Sequence, residues 1–268
     1  MAILGFIGVG NMGGALARAA AGKVSGTSLL LANRSREKAE KLAVELGGTV
    51  SDNLSIAASA DYIFLGVKPQ MLPGVLSDLT DTLRRRESPF VLVSMAAGTS
   101  IEKVQQLSGD KWPVIRIMPN TPASIGRGMI LYAPGENVSA EQLDTFLKLM
   151  SGAGRFTRLE ERLIDAGSSV SGCGPAFADL FIEALADGGV ACGLPRSAAI
   201  ELAAQMLLGS AALVLESGRH PGELKDAVCS PGGTTIQGVR ALEKSGFRSA
   251  VMEAVIAAYE KNFDLNST

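Results

Sequence analysis

A chain of 268 residues with 47% apolar side chains and a formal charge of −2 is long enough for two modest domains and apolar enough for a sizeable core. A near-neutral balance with scattered basic residues argues against nucleic acid or an anionic membrane as partner. The three cysteines, Cys173, Cys192 and Cys229, lie far apart, with no C-x-x-C pair and no neighbouring histidine; neither a disulfide framework nor a metal site is expected, and a reducing cytoplasm is.

The chain begins with the apolar run Ile3–Ile7, which lacks a basic leading segment and reads as a strand rather than a signal peptide. Further strand-length apolar runs follow at Ser28–Ala32, Tyr62–Val67, Phe90–Met95 and Val114–Met118. Helical patterns separate them at Met12–Ala21, Glu37–Leu46, Met71–Arg84 and Ile101–Leu107. Short apolar strands alternating with helices predict a parallel sheet covered on both faces. The triplet Arg84-Arg85-Arg86 reads as a solvated helix C-terminus. Met129–Ala133 and Gly154–Leu159 are later strands, joined by a helix over about 140–150 with Ser139 as its N-cap.

Strand signals stop after about residue 160. Pro175–Cys192 and Pro195–Glu216 are helices with only thin polar stripes, Asp179/Glu183/Asp187 on the first and Ser197/Glu201/Gln205 on the second. Gly193 reads as the C-cap between them and Pro195 as the next first turn. The stretch Ala198–Leu215 is apolar enough to raise the question of a membrane span, but Glu201 and Gln205 interrupt it, so it reads as a buried helix. A tail of this size cannot bury such helices alone, which predicts that they pack against a second subunit. The expected architecture is α/β: a Rossmann-type doubly wound sheet over residues 1–160, followed by an all-helical region over 161–268.

Gly8-Val9-Gly10-Asn11-Met12-Gly13 follows a strand and opens a helix. In that context the first glycine permits a tight turn, the second lets backbone approach a pyrophosphate, and the third lets helix pack on strand. The helix N-terminus then offers N–H groups and the positive dipole end to phosphate. Ile7, Gly8, Val9, Gly10, Asn11 and Met12 are therefore cofactor candidates. The second strand ends in Asn33-Arg34-Ser35, where NAD-selective sites usually carry an acid. Arg34 can pair with a 2′-phosphate and Ser35 can donate to it, which favours NADPH while leaving NADH open. The alternative is a helix N-cap, with Ser35 capping and Arg34 solvated, and both roles can hold together. Val67, Lys68, Pro69 and Gln70 follow one strand end and Ala96, Ala97 and Gly98 another; small residues there let a flat nicotinamide lie against backbone. Asn53 is read equally as a cofactor contact or a helix N-cap.

A second glycine-rich segment, Ser230-Pro231-Gly232-Gly233-Thr234-Thr235, precedes a helical pattern. Adjacent glycines there make an anion nest able to hold a carboxylate, or an ordinary turn between helices. The lone histidine, His220, precedes Pro221 in a loop-like stretch and reads as solvated or capping rather than as a general acid.

Taken in order, Gly5–Met12, Val67–Gln70, Ser94–Gly98, Met118-Pro119-Asn120-Thr121-Pro122, Ser171–Phe177 and Lys225–Thr235 together resemble the pyrroline-5-carboxylate reductases over nearly the whole chain. The resemblance implies NAD(P)H-dependent reduction of 1-pyrroline-5-carboxylate to L-proline, the last step of proline synthesis. It also implies a helical domain that interlocks in a homodimer, sometimes built into a decamer. It makes Ser230, Gly232, Gly233, Thr234 and Thr235 the substrate-binding set: backbone N–H groups hold the carboxylate, and Thr235 faces the ring nitrogen as the catalytic candidate. Cys173 stands where that family often has serine. A β-hydroxyacid dehydrogenase shares the two-domain plan but needs a lysine on the first long helix of its second domain; no lysine lies between Lys148 and Lys225. A non-enzymatic NADPH-sensing module would have no use for a second anion-binding loop.

Overall fold

The computed structural model describes residues 2–266. Strands β1 (Leu4–Ile7), β2 (Leu29–Ala32), β3 (Thr49–Val50), β4 (Tyr62–Leu65), β5 (Val91–Ser94), β6 (Val114–Met118), β7 (Gly128–Pro134) and β8 (Gly154–Arg158) form one sheet in the order 3-2-1-4-5-6-7-8. All neighbours are parallel except β6 and β7, which run antiparallel. Helices α1 (Asn11–Ala21), α2 (Arg36–Leu46), α3 (Asn53–Ser59), α4 (Leu72–Arg84), α5 (Ile101–Ser108) and α6 (Ala140–Met150) connect them, and α7 (Ile164–Ser171) follows β8.

Alternation along the strands divides the core. Phe6, Phe64, Val91, Val93, Ile115 and Ile117 point to one face, where α1, α2 and α6 contribute Leu16, Leu42 and Phe146. The intervening Ile7, Ile63, Leu65 and Leu92 point to the other, where α3, α4, α5 and α7 contribute Ile56, Leu76, Val104 and Ile164. On the first face the Phe6 and Phe64 rings stack with centroids 4.3 Å apart, a gain beyond area burial alone. Both faces of β1, β4, β5 and β6 are dry, which is why these strands read as nearly continuous apolar runs.

Local signals explain most helix ends. Ser139 caps α6 with a full capping box to Gln142. Ser100 caps α5 by accepting from the Lys103 N–H. Two expectations are corrected. The N-cap of α3 is Asp52, not Asn53: Asp52 accepts from the Ser55 N–H and hydroxyl, bonds that hold its carboxyl below the usual range, while Asn53 is the first helical residue. The arginine triplet is also not simply solvated. Arg86 folds back to donate to the carbonyls of Ala57 (2.9 Å) and Ala60 (2.6 Å) and lies over the Phe90 ring. Those carbonyls end α3, where free C=O groups attract a cation.

The remaining elements are α8 (Gly174–Ala191), α9 (Arg196–Ser217), α10 (Pro221–Ala227), α11 (Thr234–Lys244) and α12 (Phe247–Asn266). Gly193 takes a positive φ of 99° between α8 and α9, and Pro195 is the N-cap residue of α9 rather than its first turn. The chain divides into two compact units, residues 1–173 with 258–268, and residues 174–257. Every described element after β8 is helical, and α7 packs with the first unit against β7.

The second unit does not close a core of its own. Of α9 only Ala199 and Ala203 are buried, while Leu202, Leu208, Leu213 and Leu215 are each more than half exposed. Helices α11 and α12 add exposed Leu242, Val251, Met252 and Ile256. In a single copy the stretch Ala198–Leu215 is thus largely exposed, as expected of a helix that packs against a second subunit. α9 passes the length and hydropathy test for a membrane span, a test that an interface helix passes equally.

Candidate active site

Four strand ends lie level at the carboxyl edge of the sheet. Ile7 is in register with Ala32 on one side and Leu65 on the other, and Leu65 with Ser94. The strand order reverses between β1 and β4, and open α/β sheets bind ligands at such a switch point. The segments singled out in the sequence, Ile7–Met12, Asn33–Ser35, Val67–Gln70 and Ala96–Gly98, all leave the sheet from these four strand ends. Asn53 opens α3 just after β3.

The glycine turn meets its steric demands one residue at a time. Gly8 has φ +96°, and a Cβ there would lie 2.5 Å from the Gly66 carbonyl oxygen. Its N–H donates to the Ala32 carbonyl (2.8 Å), and the Gly66 N–H donates to the Ile7 carbonyl (2.8 Å), so three strand ends are laced through this point. A Cβ on Gly13 would collide with the Gly8 carbonyl. Gly10 differs: a Cβ there meets nothing within 4 Å. Its hydrogen faces open space at the start of α1, which no side chain caps. The first intrahelical bond runs from Gly14 N to Gly10 O, leaving the N–H groups of Asn11, Met12 and Gly13 without intrahelical acceptors. A bare helix N-terminus beside an open glycine fits a pyrophosphate.

The turn after β2 is shaped by Asn33, whose Nδ2 donates to the Ser35 carbonyl (3.1 Å). Ser35 occupies the N-cap position of α2 but makes no side-chain cap bond. Nearby charges are paired along α2, Arg36 with Glu40 and Lys41 with Glu37. Arg34 is exposed and forms no ion pair among the described residues. Its charge and the Ser35 hydroxyl are thus uncommitted at the place where a ribose 2′-substituent would lie. Lys68 is also exposed, at the N-cap of a short turn over Pro69–Met71. Ala96 is buried, and Ala97 and Gly98 are half-buried.

The Ser230–Thr235 loop belongs to the second unit. Gly232 takes φ +71° and Gly233 is the N-cap residue of α11. The Gly233 N–H is committed to the Ser230 carbonyl (3.0 Å), so the donors left at this turn are those of Thr234, Thr235 and Ile236, which open α11. Thr234 and Thr235 are exposed. His220 is an N-cap: its Nδ1 accepts from the Gly222 N–H (3.0 Å), the capping role expected from its place before Pro221.

Sequence reasoning missed one polar cluster. Arg116 on β6 is 3% exposed; it bonds Asp165 of α7 at 2.6 Å and lies 3.6 Å from Glu161. Asn120, just past β6, accepts from the Met129 N–H and donates to the Ser171 carbonyl, both at 2.9 Å. The legible signal was a charged residue inside the otherwise apolar run Val114–Met118, which demands a buried partner. A groove of about 840 Å³ lies between α5 and the ends of β7 and β8; none of the predicted site residues lines it.

A doubly wound sheet with a glycine-turn anion site at its switch point, joined to a helical unit, defines a dinucleotide-dependent oxidoreductase. Comparison narrows the class. Residues 3–98 match the family model described as NADP oxidoreductase coenzyme F420-dependent, and residues 161–265 match that of pyrroline-5-carboxylate reductase dimerisation. The chain is 41% identical to the pyrroline-5-carboxylate reductase of Glycine max, covering 98% of this chain and 96% of that one. It is 40% identical to the Escherichia coli enzyme of the same name, over 99% and 98%. Among solved structures, the Plasmodium falciparum pyrroline carboxylate reductase with NADP bound is 32% identical, with a TM-score of 0.88 over 99% of this chain and 98% of that one. The chain belongs to the pyrroline-5-carboxylate reductase family. Its apolar C-terminal helices lie within the matched dimerisation domain, which accounts for their exposure in a single copy.

Proposed function

We propose that this protein reduces 1-pyrroline-5-carboxylate to L-proline with NADPH as its preferred hydride donor and NADH as a poorer one. Near-complete coverage by reductases at about 40% identity carries the reading; the open Gly10 edge beside the uncapped α1 supports it physically. When bound, the reduced nicotinamide supplies a hydride to C5 of the cyclic imine.

The chain's own residues then have a modest task. The turn Gly8–Met12 holds the pyrophosphate, Asn33, Arg34 and Ser35 select the 2′-phosphate, and Asn53, Val67–Gln70 and Ala96–Gly98 wall the adenosine and nicotinamide. In the second region, 161–268, the Ser230–Thr235 loop holds the substrate carboxylate through its free N–H groups and presents one ring face. Gly232 and Gly233 shape that turn, and Thr234 and Thr235 provide hydroxyls. The reacting carbon must lie within about 3–3.5 Å of the donor carbon. Hydride addition is easiest to the protonated iminium, so little acid–base machinery is needed. Thr235 hydrogen-bonds the ring nitrogen, and the proton arrives with the substrate or from water.

The protein works as a homodimer through its C-terminal helices, assembled further into a decamer, in the cytoplasm. The exposed apolar faces of α9 and α12 support the dimer, and the three unpaired cysteines fit a reducing compartment; the decamer rests on the family resemblance alone. Loss of nicotinamide absorbance on adding pyrroline-5-carboxylate tests the reaction. Thr235→Ala is expected to lower kcat/KM by about 10–100-fold, or roughly 1.4–2.7 kcal/mol, and an unchanged kcat/KM removes Thr235 from the site.

A further inference from the structure

The Ser230–Thr235 loop joins two helices that bury nothing. No residue of α10 or α11 is buried, so within one chain neither is held by a core. α10 has only seven residues, too few for a helix to persist on propensity alone, and Gly222 in its first turn weakens it further. Another short helix, α7, is fastened by side chains from outside itself. Arg116 bonds its Asp165 carboxylate (2.6 Å), and Asn262 Nδ2 donates to the Asp165 carbonyl and the Ser169 hydroxyl, both at 3.4 Å. Among the described residues, the side-chain bonds of α10 all come from residues 219–226. They are Arg219 with Glu223 (3.4 Å), Lys225 with Asp226, and the Gly222 N–H with His220 Nδ1 (3.0 Å). The first two are exposed ion pairs, which hold a helix weakly.

The third is different in kind. Pro221 has no N–H, and the other three N–H groups of the first turn all end on His220. Gly222 donates to the ring, and Glu223 (3.0 Å) and Leu224 (3.3 Å) donate to the His220 carbonyl. One residue therefore satisfies the whole N-terminus of α10. Gly222 is fitted to that ring: a Cβ there would lie 2.9 Å from His220 Nδ1 and 3.3 Å from its Cε1. Glycine is a poor helix former, and the close approach of imidazole to backbone is what it makes possible. From α10 the bonds continue to the loop. The Val228 N–H donates to the Lys225 carbonyl (3.3 Å), the Cys229 N–H to the Asp226 carbonyl (3.0 Å) and the Gly233 N–H to the Ser230 carbonyl (3.0 Å), after which Thr234 opens α11.

We infer that His220 is a positioning residue for the substrate carboxylate. Its ring caps α10 over Gly222, the capped helix sets the path through Val228 and Cys229, and that path fixes the turn that offers the N–H groups of Thr234, Thr235 and Ile236. The inference rests on the reading of Ser230–Thr235 as the substrate loop. His220 needs no contact with the substrate, and all of the residues involved belong to one compact unit.

The test compares H220A, H220N and G222A in the full-length protein. H220A removes the cap and is expected to raise the KM for the imine and the inhibition constant of L-proline by about fivefold each, the size of a lost cap. Values of kcat and NADPH affinity should stay within about twofold, the pattern of lost uniform binding; a merely structural loss would instead scale kcat with the folded fraction and leave KM unmoved. Asparagine is among the best N-caps, so H220N should return KM and L-proline inhibition to within about twofold of wild type. Alanine is the better helix former, yet its methyl displaces the ring, so G222A should behave as H220A does. An unchanged KM in H220A overturns the inference, as does an H220N variant as impaired as H220A, or a G222A variant equal to wild type. If H220A fails to fold, G222A decides in the same way. If the wild-type protein does not turn over the imine, or Thr235→Ala is silent, the underlying reading falls and takes the inference with it. A normal loss in Thr235→Ala with silent H220A and G222A removes the inference alone.

Discussion

The two units of this chain solve the problem of burial in different ways. In the first, every side chain of β1, β4, β5 and β6 is buried and helices cover both sheet faces. In the second, a 22-residue helix buries only two alanines. Both are rich in apolar residues, so composition does not separate them. The difference is whether the apolar surface finds its partner within the chain. A parallel sheet supplies both faces of its own core. A few long helices with apolar residues on nearly every side cannot, and they need another copy to cover them. The glycine turn Gly8–Gly13 lies in the self-sufficient unit; the Ser230–Thr235 loop, proposed above to hold substrate, lies in the other.

Three experiments would break or sharpen this contrast. The largest effect is expected from charging the uncovered helix. Leu202→Asp together with Leu213→Asp places carboxylates on one face of α9, where both leucines are more than half exposed in a single chain. If a second copy covers that face, each unpaired buried charge costs about 3 kcal/mol, on the order of a hundredfold in association. Light scattering should report a monomer, while the glycine-turn unit keeps its NADPH affinity. An oligomer of unchanged size would mean that α9 is covered by something else.

A smaller but sharper effect is expected at Gly8. Ala there combines φ +96° with a methyl 2.5 Å from the Gly66 carbonyl oxygen, and about 2–3 kcal/mol of strain follows. Thermal melting should fall and NADPH titration should weaken together, whereas Gly10→Ala, with no atom within 4 Å, should keep stability and lose only cofactor affinity. Equal melting losses in the two variants would refute the assignment of distinct roles. The smallest effect is expected from Arg34→Ala, which should raise the KM for NADPH by about tenfold, roughly 1.4 kcal/mol, and leave that for NADH nearly unchanged. Equal effects on both would mean that Arg34 does not read the 2′-phosphate.

The parts of this molecule that are legible in sequence are those governed by local chemistry. The strands and helices expected in the first unit end within about two residues of where their apolar periodicity put them, because packing there reinforces the local signal; the short helices α3 and α7 were given no bounds by it. The turn Gly8–Gly13 was readable because steric demand at three fixed offsets leaves few alternatives. What escaped is non-local. β3 has only two residues, too few for any period to register. Asp52 and Asn53 are both competent caps, and only the backbone path decides between them. Arg86 looked like a solvated cation because nothing in its neighbourhood announces carbonyls 26 and 29 residues away. Arg116 was conspicuous as a charge within a strand, but its partner lies 49 residues downstream.

The bonds from Asn262 to α7 have a consequence for synthesis. They join residues 93 and 97 positions apart, and the whole second unit emerges from the ribosome in between. The sheet and its helices can therefore form while α7 is still held from one side only, and α12 must come back to complete the fastening after its apolar neighbours have been exposed for many seconds. Contacts of such long sequence separation form late. The period before they close is when the uncovered leucines of α9 are most open to the wrong partner, so the step that finishes the first unit also sets how long a nascent chain must be kept apart from its copies.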